Sequence, residues 1–133
     1  MKIVITLLSA LTLMLSAVSV NAAPKAHTYS AVISSDGKVE SQSASWIKNI
    51  EYSNQKDYAA SYKVELVPGV FQKEPAYCQV SAFGNSSYEQ TFHGIAKLSS
   101  KPTRDEVNVI GLMLGLDKPS GDSSMSFYLV CGK

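Results

Sequence analysis

Tyr58-Ala59-Ala60-Ser61-Tyr62-Lys63-Val64-Glu65-Leu66-Val67 decides the fold class of this 133-residue chain. On an extended backbone Tyr62, Val64 and Leu66 fall on one side, and Lys63 and Glu65 on the other. A period of two marks a strand with one face in a core and the other in water. Pro68-Gly69 ends the run, because proline cannot donate to a ladder and glycine takes turn conformations.

The same alternation continues on both sides of this stretch. Thr28 to Ile33 reads as a strand and Ser34-Ser35-Asp36-Gly37 as a tight turn. Lys38 to Ile47 reads as the returning strand, Ser-rich on one side and closing on Trp46, the only tryptophan. Asn49 to Asp57 is polar throughout and reads as a loop. Beyond Pro75, Ala76 to Phe83 sets Cys78, Val80 and Ala82 on one face against Tyr77, Gln79 and Ser81. Gly84-Asn85-Ser86-Ser87 reads as a turn, and Tyr88 to Leu98 as extended chain. Met125 to Cys131 places Met125, Phe127, Leu129 and Cys131 on one apolar face.

Thr103 to Leu116 supports two readings. Thr103-Arg104-Asp105-Glu106 has the form of a helix capping box, and Val107, Ile110 and Leu114 keep helical spacing. Gly111, Gly115 and the β-branched residues favour a central strand that is apolar on both faces. The strand is preferred and the helix stays open. Six or seven short strands with turns between them predict an all-β fold, an antiparallel β-sandwich or jelly-roll-like domain.

The N-terminus carries the three parts of an export signal: Lys2, an apolar run from Ile3 to Val18, and small residues around Ala22. Thr6, Ser9, Thr12 and Ser16 interrupt the run, which is shorter than the about 20 apolar residues of a membrane anchor. Residues 1–22 are therefore expected to be a cleaved signal peptide and 23–133 a single β-sandwich domain. The product is expected in the periplasm or secreted, with no membrane insertion after cleavage. Without Lys2 the chain carries 11 basic and 11 acidic residues, and they form no basic stripe, which argues against nucleic acid as a partner.

Cys78 and Cys131 are the only cysteines. In an exported chain they are expected to form a disulfide. Both fall on the apolar side of their strands, which suits a buried bridge between neighbouring or facing strands. A metal reading is poor, because two thiolates without a flanking histidine make an incomplete ligand set. No cofactor is expected either.

Catalytic chemistry finds little to work with. No serine lies in a Gly-x-Ser-x-Gly elbow. His27 sits near the start of the exported chain, and His93 reads as a solvent-side strand residue. Asp105-Glu106 is the only adjacent carboxylate pair, and at a helix start or turn capping explains it better than acid–base work does. Asp36, Asp117 and Asp122 sit where Asx turns account for them. Asn85-Ser86-Ser87 has the form of a glycosylation sequon, on a chain whose signal looks bacterial.

Seven tyrosines stand out for this length. Exposed tyrosine among Asn, Gln and Ser suits sugar or protein recognition, since the ring offers rigid area and the hydroxyl a hydrogen bond. Half-buried β faces also favour tyrosine without any ligand. The candidate ligand-binding residues are Trp46, Tyr52 and Tyr58, around the polar segment Asn49 to Asp57.

Two stretches together resemble a known module. Ser35-Asp36-Gly37-Lys38-Val39 leads to Ser41-Gln42-Ser43-Ala44-Ser45-Trp46-Ile47, and Tyr62-Lys63-Val64-Glu65-Leu66 leads through Pro68-Gly69-Val70-Phe71 to Pro75-Ala76-Tyr77-Cys78. The pattern resembles the β-sandwich module of phage tail-fibre tips and of small exported bacterial proteins of unknown function. The resemblance implies a terminal recognition domain, in some relatives a trimer, with no catalytic residues. Together these readings predict a non-enzymatic binding module for a surface glycan or protein, with a homotrimer as one possible assembly. The alternative is a periplasmic inhibitor or immunity-type protein with one protein partner. A small hydrolase using Asp105 and Glu106 is the third reading, and the chain is not expected to be an enzyme.

Overall fold

The computed structural model describes residues 27–84 and 87–133. The expected signal peptide at 1–22 lies outside them, as does most of the sequon. Eight strands and one short helix follow in order: β1 Thr28–Ile33, β2 Val39–Gln42, β3 Ile47–Gln55, β4 Ala59–Leu66, β5 Tyr77–Ala82, α1 Tyr88–His93, β6 Gly94–Leu98, β7 Glu106–Met113 and β8 Phe127–Gly132. They form two four-stranded sheets, β2-β1-β8-β5 and β3-β4-β7-β6. Every pairing is antiparallel.

Alternation selects the two inner faces. Tyr62, Val64 and Leu66 of β4 and Val107 and Val109 of β7 are buried from one sheet. Ala31 and Ile33 of β1 and Phe127, Leu129 and Cys131 of β8 are buried from the other. The rings of Tyr62 and Phe127 meet edge-on between the sheets, centroids 5.0 Å apart. At one end Tyr29, Trp46 and Phe71 form a triangle of rings 5.3–6.4 Å apart. Lys133 places its ammonium 5.3 Å from the Tyr29 ring centroid.

The disulfide forms as the sequence predicts, between neighbouring strands. Cys78 of β5 lies directly opposite Cys131 of β8, with Cα atoms 4.1 Å apart. It spans 53 residues of sequence, a closure that the chain-entropy model credits with roughly 4 kcal/mol.

Three local expectations are corrected, and a fourth segment, open between two readings, resolves to the preferred strand. The segment Lys38 to Ile47 is not one strand: β2 stops at Gln42, and 43–46 crosses to the other sheet. The Gln42 carboxamide oxygen accepts from the amides of Trp46 and Ile47 at the crossing. Asn49 to Asp57 is mostly strand β3, not loop. Its inner positions can be polar because each finds a partner: the Tyr52 hydroxyl meets Ser124 Oγ, and Asn54 Nδ2 donates to Asp122 and Ser124. Tyr88 to His93 is helix α1, not extended chain. Ser87 Oγ accepts the Gln90 amide as its N-cap, with Glu89 in the first turn. At 103–116 the strand is the outcome. Thr103 Oγ1 does accept the amides of Asp105 and Glu106, yet the chain it closes runs straight into β7.

The Tyr62 hydroxyl is the polar centre of the interior. It donates to the Ser35 carbonyl at 2.7 Å and accepts the Met125 amide at 3.0 Å. Burial pushes its pKa up to about 12, so it stays a neutral donor. Tyr62→Phe keeps the ring but strips a part-buried carbonyl and a buried amide of this partner, an expected cost of about 1–3 kcal/mol. Chemical denaturation measures it, and a variant as stable as the parent would show that water replaces the hydroxyl.

Asp122 supplies a pH-sensitive clamp on the β7–β8 crossover. Partial burial raises its pKa, but hydrogen bonds from the hydroxyl and amide of Ser124 and from Asn54 outweigh that and hold it below its usual 3.8. A carboxylate depressed in the folded state stabilises above its unfolded pKa, and that contribution fades as pH falls through the folded value. Asp122→Asn should therefore be less stable than the parent at pH 7, with the gap closing below about pH 3 in acid-denaturation series. A gap independent of pH would rule out the carboxylate's charge as its source.

Candidate functional site

The three residues singled out in the sequence do not share a site. Trp46 is fully buried, its indole N–H donating to the Ser30 carbonyl, so it is a core residue and not a ligand contact. Tyr52 is 37% exposed with its hydroxyl engaged by Ser124. Tyr58 is exposed in the turn between β3 and β4. Trp46 and Tyr58 flank opposite ends of the nine-residue β3, about 30 Å at the usual rise per residue.

The catalytic candidates are held in structural contacts. His93 ends α1 instead of lying in a strand, and its Nδ1 is 2.9 Å from the Leu114 carbonyl. Donation to that carbonyl fixes the ring by a backbone contact, not by an acidic partner. Asp105 is paired with Arg104, and Glu106 accepts from Asn108.

The outward faces of the two sheets differ in kind. On β3-β4-β7 the outward side carries Glu51, Lys63, Glu65 and Glu106, with Lys63 within 4 Å of both Glu51 and Glu65. This is a solvated charge ladder, and such exposed pairs contribute little. On the other sheet the register puts Thr28, Ser30 and Val32 of β1, Tyr128, Val130 and Gly132 of β8, and Tyr77, Gln79 and Ser81 of β5 side by side. None of these nine outward positions carries a charge.

Two tyrosines shape this uncharged face. Tyr77, 45% exposed, lies across Gly132 on the neighbouring strand: a Cβ there would sit 2.2 Å from its Cε1 and 2.5 Å from its Cζ. Its hydroxyl reaches Thr28 Oγ1 on the third strand, at 3.4 Å. The ring thus lies low over the sheet, supported by a residue without a side chain. Tyr128, 48% exposed, leans on Phe83 with centroids 4.8 Å apart. A shallow hollow of about 430 Å³ along Gln79, Ser81 and Val130 lies on one side of Tyr128, and one of about 210 Å³ along Ser30, Val32 and Ser41 on the other.

Two other surfaces compete for attention. A larger hollow of about 910 Å³ is floored by Phe71 and rimmed by Lys73, Glu74 and Lys133. Helix α1 presents Tyr88 and Phe92, 71% and 67% exposed, one turn apart with rings 4.5 Å from each other. Among the described residues, no group of three or more His, Cys, Asp or Glu side chains is placed to hold a metal ion, and no helix is long and apolar enough to cross a membrane.

Comparison with protein-family models, with curated proteins and with solved structures finds no match to this chain.

The Tyr77–Tyr128 face was within reach of the sequence. The residues opposite Cys78, Val80 and Ala82 are visibly uncharged, as are those opposite Phe127 and Leu129. What alternation does not reveal is that β1, β8 and β5 are neighbours, which turns three separate uncharged edges into one surface. Helix α1 also left a signal, since Ser87-Tyr88-Glu89-Gln90 has capping-box form.

Gly132→Ala tests the seat of Tyr77. The clash falls on the far end of an exposed ring, which can swing away, so the stability change is expected within about 1 kcal/mol. Ring-to-backbone nuclear Overhauser contacts between Tyr77 and residue 132 should weaken at the same time. A loss of 3 kcal/mol or so would mean instead that the ring is fixed as part of the fold.

Proposed function

We propose that the chain is an exported, non-enzymatic binding module that engages a glycan or protein surface through the outward face of β1, β8 and β5. The observation that carries this reading is the uncharged face itself, with two half-exposed tyrosines set among hydroxyl and amide side chains. Aromatic rings with few rotatable bonds bind with little entropy to lose, and small polar groups around them supply adaptable hydrogen bonds. The disulfide suits the oxidising conditions of a periplasm or an extracellular space. The resemblance to tail-fibre tips supports a recognition role, and a homotrimer is the assembly it implies.

Tyr128→Lys is the direct test, because it sets a charge in the middle of the face without touching the core. The oxidised chain, immobilised on a sensor, should bind the polysaccharide or the protein fraction of a bacterial envelope. The lysine variant should lose at least tenfold in affinity, while Tyr58→Lys, on the distant hairpin, should bind as the parent does. Two blank fractions, or binding indifferent to Tyr128→Lys, would sink the reading.

A second reading rests on α1. Its paired Tyr88 and Phe92 rings form an exposed apolar knob, the kind of anchor a protein partner buries. It favours a periplasmic inhibitor or immunity-type role with one stoichiometric protein partner. Tyr88→Ser with Phe92→Ser should then abolish that partner's binding and leave stability nearly unchanged, since neither side chain is in the core.

A further inference from the structure

We infer that the uncharged face takes a neutral oligosaccharide, laid along β8 from the Tyr77 ring to the Tyr128 ring; this rests on the binding-module reading above. The geometry of the two rings gives the ligand its length. Tyr77 lies over Gly132, and Tyr128 is four residues earlier on the same strand, about 13 Å away at the rise of a β-strand. A single sugar ring cannot reach both tyrosines, whereas a short linear glycan can. Tyr77 lies across Gly132 and stays 45% exposed, which leaves ring surface for a pyranose to pack on. Tyr128 stands as a ridge with a hollow on each side, so a sugar can pack against it from either flank.

The chemistry between the rings selects the class. Gln79, Ser81, Ser30 and Thr28 are exposed and lie on strands flanking β8. Buried under an apolar protein surface, their polar groups would be left unpaired at real cost. A sugar carries a hydroxyl at nearly every carbon and can answer each of them. Protein anchors also need enclosed, desolvated pockets, and the hollows beside Tyr128 are shallow. Acidic sugars find no cation among the nine outward positions. Lys133, next to Gly132, turns its ammonium toward the Tyr29 and Phe71 rings of the core side.

The probes are neutral hexose and N-acetylhexosamine oligosaccharides of two to six units, with uronate-containing oligosaccharides of the same lengths, arrayed and presented to the oxidised chain. Binding should appear with neutral glycans, strengthen with length, and be absent or much weaker for the uronates. Tyr77→Ala and Tyr128→Ala should each weaken it about tenfold. Gly132→Ala should weaken it as Tyr77→Ala does, and the double variant no further, because Gly132 acts through the ring. Tyr58→Ala and Glu51→Ala, the latter on the charged outward side of the other sheet, serve as folded controls that bind normally. The inference is overturned if no neutral glycan binds, if uronates bind better, or if either tyrosine variant binds as the parent does. Protein-fraction binding that Tyr128→Lys abolishes, with a blank glycan array, would overturn the sugar and leave the binding face standing.

Discussion

One hydroxyl, that of Tyr62, holds together parts of the molecule that sequence keeps far apart. Tyr62 belongs to β4 in one sheet, the Ser35 carbonyl to the β1–β2 turn of the other, and Met125 to the crossover that carries the chain between them. Fixing Met125 fixes where β8 begins, and so which of its residues point inward. In a strand a slip of one residue exchanges the two faces. With Phe127, Leu129 and Cys131 in the core, Tyr128, Val130 and Gly132 must face out. The surface proposed to bind is thus a consequence of a bond made on the far side of the same strand.

The parts of the fold that sequence discloses are those where burial and alternation agree. Tyr62, Val64 and Leu66, or Phe127, Leu129 and Cys131, announce a core face because nothing polar interrupts them. The parts it conceals are those where a polar group takes a core-facing place by finding a partner. Tyr52 and Asn54 occupy inner positions of β3, opposite Tyr62 and Ala60, and are satisfied by Ser124 and Asp122 about 70 residues away. A local reading of Asn49 to Asp57 sees only polar residues and expects a loop. Trp46 depends on a related feature: it closes a Ser-rich run, and that run crosses between the sheets and carries the indole into the core. In both cases the deciding contact is non-local.

Helix α1 failed differently. Its cap was legible in Ser87 and Gln90, but six residues with no buried side chain carry no periodic apolar stripe to outweigh the strand-like context. The candidate site stands between these cases. Each uncharged strand edge could be read singly, and only the pairing of β1 with β8 and of β8 with β5 joins them.

That pairing gives the disulfide a second role. β5 is the edge strand of its sheet, paired on one side only, to β8. An edge strand held by a single ladder is the part of a sheet most free to fray. Cys78 immediately follows Tyr77, and its bond to Cys131 pins that end of β5 to β8 beside Gly132, the residue on which the Tyr77 ring rests. The cross-link therefore acts locally as well as through loop closure. It keeps the end of β5 that carries Tyr77 in register with the strand that carries Tyr128. A covalent bond on the core side thereby preorganises a contact surface on the solvent side, in a domain whose exposed rings have only a thin layer of small side chains around them to hold them in place.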